Sequence, residues 1–252
     1  MRTPSNQSSD RLEREVAHHH AIAPTAEVVW NWASPSGRRR AARRAGFFLD
    51  QLNAAPGLLA LEVGCGSGVF LTRAATSSAR LVAVDLSMEL LAQARTKVNE
   101  IATSGRPRLL CADGQRLPFP AESFDVVYGS SILHHLDLPE ALREIHRVLR
   151  HGGHLVFAEP NLLNPQVALQ FRMIPRDWCG LSPDEQAFSR FRARRLACAA
   201  GFVDVSSEPH DFLHPLVPAP LTNVVAALSL WLERIPLLRE IAGSQLLRAR
   251  KP

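Results

Sequence analysis

At 252 residues, 46% of them hydrophobic, the chain is long enough to bury a substantial core, and one domain with appended segments fits that length better than two. The net charge of +5 invites a nucleic-acid partner, but aromatic residues make up only 6% and there is a single tyrosine, too few to stack bases, so nucleic acid is not expected. Cys65, Cys111, Cys179 and Cys198 are scattered with no C-x-x-C pair, which argues against a disulfide framework and points to a reduced cytoplasmic setting.

In chain order, the opening residues MRTPSNQSSDRLERE are polar and carry no secretory signal, and His18-His19-His20 reads as a solvated run rather than a metal site. This polar arm becomes amphipathic around Glu27–Trp32 and is broken by Ser34-Pro35-Ser36-Gly37. A helix is expected over Arg39–Leu52, ending at Asn53-Ala54-Ala55-Pro56-Gly57. Strands are expected near 58–63, 81–84, 108–111, 124–128 and 154–158, with helices over Met88–Ile101 and Pro139–Leu149. Phe202–Ser206 and Ser244–Arg250 alternate well enough for two more strands. Between them, 216–247 is rich in Leu, Val, Ile and Trp. It is interrupted by Glu233, Arg234 and Pro236, so it falls short of the roughly 20 apolar residues that cross a bilayer. It reads either as a helix pair covering the sheet or acceptor pocket, or as an interfacial element at a membrane surface.

The most informative stretch is LLALEVGCGSG, Leu58–Gly68: an apolar strand, then glycines at alternate positions where a ligand must approach the backbone, then the opening of a helix at Val69–Ala75. Asp85 closes the next apolar run at the distance where a strand-helix-strand unit sets an acid against a ribose. A nicotinamide site would need G-x-G-x-x-G; here the third glycine falls one residue early, and Glu62 would repel a pyrophosphate while suiting a cationic ligand.

These residues resemble the motifs of class I S-adenosylmethionine-dependent methyltransferases, in particular the small-molecule and lipid group that includes the ubiquinone-type enzymes. Glu62–Gly68 is similar to the first motif, Val84–Ser87 to the second, and Cys111–Gly114 with Leu117-Pro118-Phe119 to the third. Phe124–Tyr128, Ser131–His135 and Leu149–Leu155 follow in the family's order. The resemblance implies an α/β, Rossmann-like, mostly parallel seven-stranded sheet with helices on both faces. The last two strands would form an antiparallel edge, with an N-terminal helical arm (1–53) and a methyltransferase domain (54–252) carrying an acceptor-side insert at about 160–243. S-adenosyl-L-methionine is the implied cofactor. Glu62, Gly64, Cys65, Gly66 and Gly68 would form its cradle, Asp85 would hold the ribose, Leu86, Met88, Asp113 and Gly114 the adenine, with Ser130 alongside.

Methyl transfer is an in-line displacement at an activated carbon, so positioning can supply most of the effect, and a base is needed only for a protonated acceptor. His134 and His135 are the candidates for that base. Trp30 and Trp32 are lid candidates, and Glu159, Asn161 and His210 are candidates for acceptor contact. The Arg38–Arg44 and Arg190–Arg195 clusters read as exposed basic helix faces, with anionic membrane as the partner they would suit. The expected acceptor is an amine or hydroxyl of a lipid-like amphiphile, with a soluble metabolite or sugar as the second enzyme reading and a noncatalytic donor-binding scaffold as a third.

Overall fold

The computed structural model describes residues 4–101, 106–176, 181–182 and 184–252. Cys179 lies outside them; Cys65, Cys111 and Cys198 are unpaired.

Seven strands form one sheet: β1 (Leu59–Val63), β2 (Arg80–Asp85), β3 (Arg108–Cys111), β4 (Phe124–Ser130), β5 (Leu149–Pro160), β6 (Val203–His210) and β7 (Ser244–Arg250). Their order is β3-β2-β1-β4-β5-β7-β6, with β1–β5 parallel and β7 antiparallel to both its neighbours. Strand order reverses between β1 and β4, and the crevice beyond their carboxyl ends is where sheets of this kind take ligands. The turns 64–68 and 131–135 both leave the sheet there.

Burial follows the strand period of two. Leu61 and Val63 face the core formed with α6 (Leu138–Val148) and α8 (Arg190–Ala199). Ala60 faces the opposite core, formed with α3 (Pro35–Leu52), α4 (Leu71–Ala74) and α5 (Met88–Ile101). In α6, Asp137 caps the N-terminus by accepting from the Glu140 amide at 3.0 Å, and Leu138, Ala141, Leu142, Ile145 and Val148 form its buried stripe.

Two sequence expectations need correction. Ser34-Pro35-Ser36-Gly37 starts a helix instead of breaking one: the Ser34 hydroxyl accepts from the Gly37 amide at 2.9 Å and Pro35 occupies the first turn, where its missing N–H costs nothing. The N-terminal arm is helical, as the resemblance implies, with α1 at Pro4–Ile22 and α2 at Ala26–Val29. The helix expected from Val69 is only the four-residue α4. The 216–247 region contains α9 (Thr222–Leu232) and α10 (Pro236–Arg239), preceded in the insert by α7 (Pro165–Arg172). No helix among the described residues is long and apolar enough to cross a membrane.

Glu62 sits on β1, fully buried, where its Oε2 accepts from the Tyr128 hydroxyl on β4 at 2.9 Å. Burial pushes its pKa up to about 8, so the carboxyl is largely neutral at pH 7 and supplies little of the charge that the sequence suggested for a cationic ligand. A proton bound more tightly in the folded state makes Glu62's contribution to stability full below pH 4.5 and lost as pH rises through 8. In urea unfolding across that range, the wild type should lose stability by up to about 1.4 kcal/mol per pH unit from this group. Glu62→Gln should remove that slope, and an unchanged slope would show that Glu62 is ionised in the fold.

Candidate active site

A cavity of about 560 Å³ opens at the carboxyl ends of β1, β2 and β4, within the range typical of small-molecule sites. Helix α1, the Trp30–Trp32 segment, α7 and the 211–216 loop complete its walls.

Its first half is the glycine turn. Gly64 has φ +70°, and a Cβ there would lie 2.4 Å from Ile132 Cγ1, so only glycine allows the 131–135 turn to pack against β1. Asp85 fixes the same turn from β2: Oδ2 accepts from the Gly66 amide at 2.7 Å and Oδ1 from the Ser87 amide at 3.0 Å. Each oxygen keeps a second lone pair for a ligand hydroxyl. Burial raises the Asp85 pKa, and these two backbone hydrogen bonds oppose the rise. Cys65, Leu86, Asp113, Gly114 and Ser130 also line the cavity, whereas burial pushes the Cys65 thiol up and keeps it protonated.

The second half is built around the turn after β4. His134 Nδ1 is 2.7 Å from Glu159 Oε2, and an ionised carboxylate can only accept, so Nδ1 carries a proton; in the neutral ring this leaves the lone pair on Nε2. Glu159 Oε1 accepts from the amides of Ile132 and Leu133, both at 3.0 Å. His135 Nδ1 lies 3.2 Å from Glu15 Oε2 and 3.5 Å from Glu185 Oε1. Burial disfavours the His135 cation, yet Glu185, Glu15 and Glu159 together push its pKa up. Burial likewise works against the Glu15 carboxylate, but His135 and the Ser182 hydroxyl bring its pKa down to about 2.

A third feature is Arg44, fully buried on α3 and lining the cavity. Its guanidinium donates to the hydroxyls of Ser130 at 2.8 Å, Ser131 at 2.9 Å and Ser244 at 2.8 Å, with Trp32 stacked 5.2 Å away; Nε has no partner among the described residues. Burial and the neighbouring Arg40 lower its pKa to about 9, so it remains a cation at neutral pH. It is hydrogen-bonded to hydroxyls alone and suits an anionic group on a ligand.

Of the residues singled out from sequence, His134, His135, Gly64, Cys65, Gly66, Asp85, Leu86, Asp113, Gly114, Ser130, Trp30 and Trp32 line this cavity together. Others sit elsewhere. Gly68 packs on Ala94 of α5, and Met88 is 64% exposed at the start of that helix. Asn161 donates to the carbonyls of Glu240 and Ala242, both at 2.9 Å, and so braces the insert. Burial and Arg44 drive the His210 pKa down to about 3, leaving a neutral ring packed edge-on against Phe47. Glu159 acts behind His134. The basic cluster on α3 is not a uniformly solvated face: Arg40 pairs with Asp211 at 3.1 Å, Arg43 with Glu233 at 2.5 Å, and Arg44 is buried. Sequence reasoning missed Glu15, His19, Arg44 and Glu185. For Arg44 the available signal was its place in the stripe Ala41, Ala45, Phe48, Leu52; for Glu15 and His19 it was their spacing of four.

A glycine cradle and an acid at the switch point of a parallel sheet, with an antiparallel strand inserted near one edge, make this an α/β fold with a ligand site beyond β1. Residues 61–157 match the family described as methyltransferase domain. A malonyl-[acyl-carrier protein] O-methyltransferase from Herminiimonas arsenicoxydans is 37% identical over 110 residues, 42% of this chain and 39% of that protein. The ubiquinone/menaquinone biosynthesis C-methyltransferase of Vibrio parahaemolyticus serotype O3:K6 is 28% identical over 204 residues, covering 70% of this chain and 78% of the relative. A Thermotoga maritima structure described as a SAM-dependent methyltransferase, possible histamine N-methyltransferase, superimposes with a TM-score of 0.67 at 18% identity, over 93% of this chain and 100% of that one. The chain spans 33% and 39% of the length of two of the curated relatives it matches. Residues 61–157 thus carry a methyltransferase domain, and the chain is similar in sequence and fold to S-adenosylmethionine-dependent methyltransferases.

The cavity fits that donor: a cradle a Cβ would fill, an acid with free lone pairs, and a buried arginine without a carboxylate hydrogen-bond partner. Asp85→Ala should weaken S-adenosylhomocysteine binding by on the order of tenfold to a hundredfold in calorimetry, with the far-UV spectrum unchanged. Unaltered affinity would remove Asp85 from the donor site.

Proposed function

We propose that this chain transfers the methyl group of S-adenosylmethionine to an amine or hydroxyl of a lipid-like, amphiphilic acceptor. The observation that carries the reading is the continuity of one cavity. It runs from the glycine cradle past His134 to a wall of Val167, Leu169, Phe171, Phe212, Leu213 and Leu216. Leu216 of that wall is 72% exposed, and the helices that follow it carry further exposed apolar side chains, among them Val224 (67%), Trp231 (56%) and Leu237 (85%). A head group at His134 with an acyl or prenyl chain along this wall satisfies both ends.

S-adenosylmethionine, when bound, supplies a methyl group already activated by its sulfonium. The protein's part is to place the acceptor, exclude water and take a proton. Helix α1 and the Trp30–Trp32 segment cover the cavity as a lid, and the 1–53 arm serves the domain that follows it. Arg44 receives an anionic group of a ligand. His134, held through Nδ1 by Glu159, offers Nε2 as the general base for a protonated acceptor, while His135 is paired with Glu15 and Glu185, which favour its charged form. The exposed apolar side chains of α9 and α10, with Arg234 and Arg239 beside them in sequence, suit peripheral contact with an anionic membrane from the cytoplasmic side.

The test is to incubate the protein with methyl-labelled S-adenosylmethionine and either a total lipid extract or a soluble-metabolite extract, then separate the products. Label should enter the organic phase, with mass analysis locating it on a head group. Label confined to the aqueous phase would replace the amphiphile by a soluble metabolite, and donor binding without label in either phase would replace the enzyme by a donor-binding scaffold.

A further inference from the structure

We propose that Glu15, His19 and His135 form a site for a divalent transition-metal ion that ties helix α1 to the catalytic core. Glu15 and His19 are four residues apart on α1 and therefore share one face, which meets His135 in the turn after β4. The three ligand atoms lie within 4.8 Å of one another. Glu15 Oε2 is 3.2 Å from His135 Nδ1 and 3.9 Å from His19 Nδ1, and Glu185 Oε1 adds a second carboxylate 3.5 Å from His135 Nδ1. Around an ion with metal–ligand bonds of about 2.0–2.2 Å, neighbouring donor atoms stand roughly 3–3.5 Å apart, so little contraction is required.

Two further observations favour an ion. His19 Nδ1 is buried and has no hydrogen-bond partner among the described residues, an unmade bond that a metal would complete. Charge gives the second: two neutral imidazoles and the carboxylates of Glu15 and Glu185 balance a dication, whereas without one the two buried carboxylates share the single His135 cation. Mixed imidazole and carboxylate donors suit zinc, cobalt, manganese or iron(II) over magnesium or calcium. Glu185 also faces His134 Nε2, at 3.8 Å, but the unpartnered nitrogen places the ion on the His19 side and leaves His134 free to accept a proton. The three residues line the cavity described above, so Glu15, His19 and His135 would hold an ion that fixes α1 against the core and would supply a Lewis acid there. This assignment replaces the sequence expectation of no metal and of a solvated histidine run: within that run His20 pairs with Glu89 at 2.9 Å while His19 turns inward.

The test uses the full chain, stripped with a chelator and titrated with cobalt(II) in the absence of donor and acceptor, so that its failure leaves methyl transfer untouched and the reverse. One equivalent should bind, with visible d–d absorption, and one equivalent of zinc should raise the Tm and slow proteolysis of α1. His19→Ala and Glu15→Gln, each checked for folding by far-UV dichroism, should weaken cobalt binding at least about tenfold. The double variant His18→Ala/His20→Ala should retain it, which separates the buried site from chelation by the exposed run. No saturable binding to the wild type, binding unchanged in both His19→Ala and Glu15→Gln, or binding lost in the His18/His20 variant would each overturn the proposal. If one of the site variants does not fold, the other decides.

Discussion

The geometry of the site depends on one buried carboxylate. Glu159, at the end of β5 with no exposed surface, accepts from two consecutive amides of the turn after β4 and from the His134 ring. A carboxylate in such a place is tolerable only when its oxygens are satisfied, and removing it would strand two buried N–H groups as well. The same three bonds therefore set the path of the 131–135 turn and hold a proton on His134 Nδ1. Ile132 carries the constraint onward, because its side chain fills the space that the absent Cβ of Gly64 leaves. His134 and the glycine cradle are in this way parts of one packed unit.

Charge is distributed along the cavity in a manner that separates its tasks. Asp85 lies at the donor end, spending one lone pair of each oxygen on backbone amides of its own turns. Arg44 is a cation among hydroxyls on the wall formed by α3. Glu15, Glu185 and His135 gather under α1 and tie it to the insert, with Ser182 donating to Glu15 and Arg14 pairing with Asp184 at 2.8 Å. The contacts that Glu15 and Arg14 of α1 make with the core and the insert are thus polar, while Ala23 and Ala26 pack with Leu90 behind them.

What could be read from the sequence was what is local. The glycine turn, Asp85 and the strands β1–β5 announce themselves through apolar runs and breakers a few residues apart, and β6 and β7 through alternation. Helix α1 does not, because the side it turns inward carries Glu15 and His19, so the apolar period that marks a helix is missing. Arg44 is hidden for the opposite reason: its neighbours in the sequence are other arginines, and only the helical phase of Ala41, Ala45 and Phe48 shows that it points into the core. Asn161 and His210 looked like contact residues because they are polar and lie beyond strand ends. The partners that make Asn161 structural are the carbonyls of Glu240 and Ala242, about 80 residues away, which no local pattern reveals.

The central claim is that Glu159 holds His134 with its proton on Nδ1 and its lone pair on Nε2, ready to act as base. Nitrogen-15 NMR of the histidine rings measures this directly. For the neutral ring of His134, the account predicts a protonated Nδ1 and an unprotonated Nε2 in the wild type, with that preference lost in Glu159→Gln. An unprotonated Nδ1 in the wild type, or a tautomer indifferent to the substitution, would contradict it.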